Sequence, residues 1–315
     1  MKPPLLKVEG LKKYYAVKKW FRTVGTVKAL DSVSFSIAGK ETLAIVGESG
    51  CGKSTLAKLL LQIEAPTAGS MTFEGLAPNQ MTGQQIRRSI QMIFQDPYGS
   101  LNPRKKAWQI IAEPLRINTN LSRAECHKQA TDTMARVGLR PEFSNRYPHM
   151  FSGGQRQRIG IARAIMLHPK ILVCDEPVSA LDVSIQAQIL NLLMQLQEDL
   201  GLSYIFISHD LSVVRHIADN VLVIYLGKIV EYGTRKAIFQ NPQHPYTKSL
   251  IASTPSLKAD VEKAKYHVRG ELPSPLNPPS GCAFHRRCPV AIESCSKIEP
   301  PLKKVGDREV ACHLV

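Results

Sequence analysis

The chain has 315 residues, 43% of them hydrophobic, enough to bury a large core as one main domain with a small appendage. Lys and Arg (41) outnumber Asp and Glu (26) for a formal net charge of +15, but the basic residues are scattered with few aromatics among them. That pattern argues against a specific nucleic-acid reader and fits a basic face or an anionic membrane surface. No apolar run approaches the about 18–20 residues of a membrane span, and no secretory cleavage pattern is visible, so the expectation is a soluble, cytoplasmic chain.

In chain order, Glu41-Thr42-Leu43-Ala44-Ile45-Val46 reads as a short buried strand. It runs into Gly47-Glu48-Ser49-Gly50-Cys51-Gly52-Lys53-Ser54-Thr55, which fits G-x-x-x-x-G-K-[ST], and the stretch Ser54 to Leu61 then reads as a helix. A glycine loop between strand and helix wraps nucleotide phosphates in backbone N–H groups, with Lys53 reaching the β- and γ-phosphates and the Ser54 hydroxyl on Mg²⁺. The apolar run Gln91-Met92-Ile93-Phe94 precedes Gln95, which opens a loop. Its amide is suited to bridging Mg²⁺ and an attacking water.

Residues from about 96 to 160 lack strand runs and hold helical patterns broken at Pro114 and Pro141, which predicts an inserted helical subdomain. Phe151-Ser152-Gly153-Gly154-Gln155, followed by Arg156, reads as a helix start and so as a second anion site. Ile171-Leu172-Val173-Cys174 is a strand whose carboxyl end delivers Asp175 for Mg²⁺ and Glu176 to polarise the attacking water. Ala187 to Leu200 is an amphipathic helix. Leu202 to Ile207 is a strand ending in Ser208-His209-Asp210. Alone, His209 reads as a structural histidine; at a strand's carboxyl end in a P-loop protein it reads as a γ-phosphate contact. Strands and helices alternate through about residue 238, as in an α/β sheet.

Beyond Asn241 the composition turns Pro-rich, and Cys282, Cys288, Cys295 and Cys312 gather in the tail. In a reducing compartment such a cluster points to metal before disulfides. The spacings of five, six and sixteen intervening residues are wider than zinc knuckles use. Four thiolates suit an iron–sulfur cluster; zinc or no metal stay open. With few large apolar residues nearby, a metal is expected to staple a tail that lacks its own core. His285, Arg286 and Arg287 either offset thiolate charge or form a plain basic face.

The order P-loop, Gln95, Ser152-Gly153-Gly154-Gln155, Asp175-Glu176, Ser179-Ala180-Leu181-Asp182 and His209 resembles that of ABC-transporter ATPase subunits over nearly the whole chain. Asn241-Pro242-Gln243-His244-Pro245-Tyr246-Thr247 and the cysteine tail are similar to the oligopeptide/dipeptide importer branch. The segments Gln95–Arg104 and Gly270–Pro279 resemble its second-ATPase members. The resemblance implies an α/β P-loop NTPase (RecA-like) fold. Its mostly parallel sheet core carries a small N-terminal antiparallel β portion, the inserted helical subdomain and a Cys-bearing C-terminal extension. The ATP-binding domain would span 1–240 and the extension 241–315.

The resemblance also implies that ATP is sandwiched between one subunit's P-loop and the partner's signature turn. Gly47, Ser49, Gly50, Cys51, Gly52, Lys53, Ser54 and Thr55 then hold this chain's own nucleotide. Ser152, Gly153, Gly154, Gln155 and Asp182 act as nucleotide contacts, the signature residues facing the partner's ATP. Tyr15 is the aromatic expected to stack on adenine, with Tyr14 the alternative. Mg²⁺ falls to Ser54, Gln95 and Asp175, catalysis to Glu176, His209 and Gln95, and a [4Fe–4S] cluster to the four tail cysteines. The implied partners are a second, homologous ATPase subunit, two transmembrane permease subunits and, indirectly, a periplasmic or extracellular binding protein, with no nucleic acid. The implied function is ATP hydrolysis powering dipeptide or oligopeptide uptake from the cytoplasmic face of the inner or plasma membrane. Import of haem, a nickel chelate or an antimicrobial peptide, or a redox-sensing ATPase governed by the tail, are the alternatives.

Overall fold

A computed structural model describes residues 4–19, 22–253 and 270–315. The chain opens with β1 (Leu6–Lys19) and β2 (Arg22–Ile37), a long antiparallel pair. The fully buried β3 (Thr42–Val46) leads into the P-loop and α1 (Lys53–Leu60), and β4 (Ala68–Phe73), α2 (Gly83–Ser89) and β5 (Ile90–Ile93) follow. Next come α3 (Ala107–Ile111), α4 (Glu113–Asn118), α5 (Arg123–Arg136) and α6 (Gly153–Ile165). Then come β6 (Ile171–Asp175), α7 (Val183–Leu200), β7 (Ser203–Ser208), α8 (Leu211–Ile217), β8 (Asn220–Tyr225) and β9 (Lys228–Thr234). The chain closes with α9 (Arg235–Gln240), α10 (Pro245–Ala252), α11 (Glu293–Lys297), β10 (Lys303–Val305) and β11 (Arg308–Val310). Among the described residues no helix is long and apolar enough to cross a membrane.

These elements fall into two compact units, Met1–Ile37 with Thr42–Ala77 and Phe206–Val315, and Ala38–Glu41 with Pro78–Ile205. In the first, β1 is flanked by β2 and β4, and a second set of strands runs in the order β10-β11-β9-β8-β3. β3 and β8 are parallel, with Leu43 opposite Asn220 and Val46 opposite Val223. β9 turns antiparallel to β8, and the tail hairpin of β10 and β11 continues it. The sheet is therefore mixed. Its parallel part follows the continuous apolar runs expected of strands buried on both faces. The tail strands escaped the sequence reading because three-residue, Lys- and Arg-bearing segments carry no apolar alternation.

The second unit holds the parallel pair β5 and β6, with Ile90 opposite Ile171 and Ile93 opposite Cys174, and helices α2 to α7. The helical pattern is interrupted near both prolines: α3 ends at Ile111 and Pro114 lies in the first turn of the new helix α4, while α5 ends at Arg136 and Pro141 opens a 3₁₀ turn over Pro141–Asn145. A first-turn proline loses no intrahelical bond, because its missing N–H would have had no partner. The helix expected from Ala187 starts earlier, at Val183 behind Asp182, and ends on the left-handed Gly201.

The tail does have a core. Phe284 is buried and packs with Tyr225 and Tyr246 in one cluster that includes Val221, Val223 and Ile238. The expectation of a coreless extension overlooked that one aromatic can be buried against someone else's strands. The Asn241–Thr247 segment fastens this region. The buried Glu231 carboxylate accepts the Gln243 and His244 amides (2.9 and 3.0 Å) and faces Arg308.

His244 is buried at the start of α10, where its Nδ1 accepts the Tyr246 amide (3.0 Å) and its ring bonds the Ala311 backbone. Burial holds its pKa down to about 3. The folded form stays neutral while the unfolded chain takes up a proton below about pH 6.5. This contribution is therefore present above that pH and lost as pH falls toward 3. Urea unfolding at pH 7 and pH 5 is expected to differ by about 2 kcal/mol through His244 alone. His244→Asn, which keeps an acceptor for the Tyr246 amide, should remove that difference. An unchanged pH slope in the variant would assign it elsewhere.

Candidate nucleotide site

The phosphate cradle lies in the first unit. Gly52 has φ +108°, and a Cβ there would meet the Ala29 carbonyl oxygen at 2.3 Å, so only glycine lets the loop pass under β2 and start α1. A Cβ on Gly47 would likewise meet the Ile224 carbonyl oxygen at 2.3 Å. The loop is further tied by Cys51 N–H to Glu48 O (3.2 Å) and Gly227 N–H to Cys51 O (2.9 Å). Lys53 is 6% exposed, and its Nζ donates to Gly47 O (2.7 Å) and Glu48 O (3.0 Å). The ammonium is thus aimed across the loop's concave side. Ser54 is exposed in the first turn of α1, as a metal-ligating hydroxyl must be. Burial pushes the Cys51 thiol up, which keeps it protonated and inert inside the loop.

Tyr15 and Tyr14 go separate ways. The Tyr15 hydroxyl accepts from the Thr55 side chain in the first turn of α1 and donates to Glu64, with Lys13 Nζ 5.1 Å from the ring centroid. Tyr14 donates to Asp31 instead. Neighbouring residues of a strand point to opposite faces, so only one of the two reaches the P-loop helix. His209 is exposed beyond the end of β7, beside Asp210, whose carboxylate caps α8.

In the second unit, β6 ends at Asp175 and the chain turns at Glu176, which adopts φ +46°, unusual for a side chain with a Cβ. Its carbonyl is pinned by Ser179, through N–H (3.2 Å) and Oγ (3.1 Å). The Glu176 carboxylate accepts the Gln95 side-chain amide at 2.9 Å. The two residues are 81 positions apart and come together because β5 and β6 are parallel neighbours ending side by side.

The signature turn is a reciprocal cap. Ser152 Oγ accepts the Gln155 amide (3.3 Å) and Gln155 Oε1 accepts the Ser152 amide (3.1 Å). The helix start read at this turn is thus present, and the S-x-x-Q spacing is what closes its cap. Gly154 is buried, and a Cβ there would meet Ile185 Cγ2 at 2.6 Å. Asp182 stands at the N-cap of α7 with its carboxylate outside the cap bonds.

Comparison with known proteins bears on these features together. The ABC transporter family model matches residues 30–179, and the model of the oligopeptide/dipeptide transporter C-terminal region matches residues 230–295. The dipeptide transport ATP-binding protein DppF of Escherichia coli is 56% identical over 100% of this chain and 96% of its own length. The chain belongs to the ATP-binding subunits of the oligopeptide/dipeptide ABC transporter family. DppF of Haemophilus influenzae is 57% identical over 98% of this chain and 96% of its own length. Among solved structures, CbiO1 of Clostridium perfringens, part of an ABC transporter complex, superposes with TM-score 0.65 at 30% identity, covering 76% of this chain and 91% of that one. As a family member the chain is an ATPase coupled to ABC-type peptide transport, with ATP and Mg²⁺ as its cofactors.

The matched C-terminal region, residues 230–295, contains Cys282, Cys288 and Cys295, and Cys312 follows beyond it. All four cysteines are unbonded, and Cys282 N–H donates to Cys295 O (2.8 Å). Burial pushes the Cys282 thiol up to about 11, and the charges of Cys295, Cys312 and Cys288 add to it. Cys288 and Cys312 are raised in the same way. The four thiols thus lie within each other's electrostatic reach. Among the described residues no three His, Cys, Asp or Glu side chains are set as ligands of one ion. Four thiols are the donor set that a thiolate-held cluster takes.

Two residues of this region, Arg287 and Tyr246, take roles that the sequence did not show. Arg287 does not offset the thiols but forms a two-pronged pair with Glu48 of the P-loop, and Tyr246 takes the Glu48 amide. Residues 239 positions apart leave no local pattern to read.

Proposed function

We propose that this ATPase energises uptake of dipeptides or short oligopeptides, with Glu176 as the residue that orients and polarises the attacking water. The observation that carries the reading is the Glu176 carboxylate, held by Gln95 at the carboxyl end of a buried strand. In this scheme Gly47 to Thr55 wrap the phosphates, Lys53 compensates their charge, and Ser54, Gln95 and Asp175 serve Mg²⁺. His209 contacts the γ-phosphate and Tyr15 stacks on adenine. Ser152 to Gln155 and Asp182 complete the site of a second, homologous ATPase, and two transmembrane permease subunits, fed by a binding protein, use the closing and opening. The γ-phosphate holds the halves together and its loss releases them. The division into an ATP-binding part over 1–240 and an extension over 241–315 belongs to the same proposal.

The tail cysteines Cys282, Cys288, Cys295 and Cys312 would hold the [4Fe–4S] cluster. When bound, a cluster supplies positive charge to four thiolates and cross-links the segment that bears them. The assembled transporter, purified anaerobically and reconstituted in vesicles, tests both parts. MgATP-dependent uptake of a labelled dipeptide is expected, together with about four irons and matching sulfide per chain. ATP turnover stimulated by haem or a nickel chelate but indifferent to dipeptide would reject the cargo. Zinc or no metal on the eluate would reject the cluster.

A further inference from the structure

We infer that Arg287 is a positioning residue of the nucleotide site: supplied by the C-terminal extension, it neutralises and orients Glu48 so that the P-loop accepts a polyanion. Glu48 is the second residue of the loop. Its carboxylate receives both terminal nitrogens of Arg287, at 2.8 and 3.1 Å. The Arg287 side chain is 9% exposed and that of Glu48 27%, so the pair is largely shielded from solvent. Arg287 also donates to the Tyr225 hydroxyl (3.4 Å).

The backbone of Glu48 is held as firmly as its side chain. Its N–H donates to the Tyr246 hydroxyl (2.9 Å), and its carbonyl accepts from Lys53. Tyr246 is fully buried, its ring 4.7 Å from that of Tyr225 and 5.3 Å from that of Phe284. Phe284 and Arg287 belong to one short stretch of the tail, between Cys282 and Cys288. That stretch therefore grips the P-loop twice, through a packed aromatic and through a charge pair.

The electrostatic argument is direct. A loop that binds triphosphate with an unpaired carboxylate beside it repels its own ligand. A guanidinium held in two-pronged register cancels that charge and fixes the direction of the side chain, which a lysine ammonium does less well. No residue of the established site performs this task, and no local sequence pattern announces it.

The test uses the full-length chain and MgATP, with affinity measured by titration calorimetry beside the KM and kcat of hydrolysis. Arg287→Met is expected to raise the Kd and KM for MgATP about tenfold, as breaking a shielded charge pair does, with kcat little moved. The loss should be larger at low salt, where repulsion is unscreened. Glu48→Gln in the Arg287→Met background should recover most of the affinity, because the unpaired charge is gone. A purely structural Arg287 predicts the reverse: lower melting temperature, no salt dependence and no rescue. The double variant binding as weakly as the single, or Arg287→Met binding like wild type, overturns the inference. If Arg287→Met does not fold, Arg287→Lys carries the same comparison, with a smaller loss that Glu48→Gln must relieve; no loss, or none relieved, overturns it too. The inference rests on the P-loop being the nucleotide site. Wild-type chain without MgATP affinity would sink that reading, whereas intact wild-type affinity without coupling between Arg287 and Glu48 sinks only this one.

Discussion

Glu176→Gln is expected to bind MgATP about as tightly as wild type while hydrolysis falls by about three orders of magnitude, the middle of the range for a lost proton-accepting group. The substitution is informative because it changes little else. The Gln95 side-chain amide donates to Glu176 Oε2 at 2.9 Å, and a glutamine at 176 still offers an oxygen there. The backbone at this position is left-handed, with φ +46°, and Ser179 ties its carbonyl; both depend on the main chain and survive the exchange. What disappears is the negative charge and the basicity that polarise water. Phosphate release and equilibrium nucleotide binding, measured on the same preparation, separate the two. Normal turnover by the variant would remove Glu176 from the chemistry.

Lys53→Ala should instead be felt in binding itself. Lys53 is 6% exposed and its ammonium is fixed by the Gly47 and Glu48 carbonyls at 2.7 and 3.0 Å, so its charge is delivered to the loop with little freedom left to lose. Removing a desolvated charge opposite phosphate is expected to weaken MgATP about a hundredfold, within the range measured for shielded charge pairs. The same two carbonyls lose their donor, which loosens the turn as well. Calorimetric titration decides it: undiminished affinity would mean that Lys53 does not face the phosphates.

The two variants lie in different compact units of the fold. Lys53 sits in the unit formed by Met1–Ile37, Thr42–Ala77 and Phe206–Val315, and Glu176 in that formed by Ala38–Glu41 and Pro78–Ile205. Binding is expected to fail with the first residue and turnover with the second. Chain order alone does not reveal that division, because the second unit is largely an insertion into the first.

What the amino-acid order determined by itself was everything encoded within a few neighbouring residues. The glycine spacing of the P-loop is read directly, since Gly52 and Gly47 pass where a Cβ would strike a carbonyl oxygen at 2.3 Å. The buried strands β3, β6 and β7 announce themselves as unbroken apolar runs, and the helix start at Ser152–Gln155 as a small-residue turn. Only the tertiary structure decided which polar groups meet. Gln95 finds Glu176 because two parallel strands end together, and Tyr15, not Tyr14, reaches α1 because strand alternation turns one of them away. Arg287 finds Glu48 because Phe284 buries itself against Tyr225 and Tyr246 and carries the tail to the loop. Periodicity and backbone sterics act over one or two turns of chain and so leave a local trace. A charge pair across 239 positions depends on the packing of apolar surfaces between them, and no short window of sequence contains that.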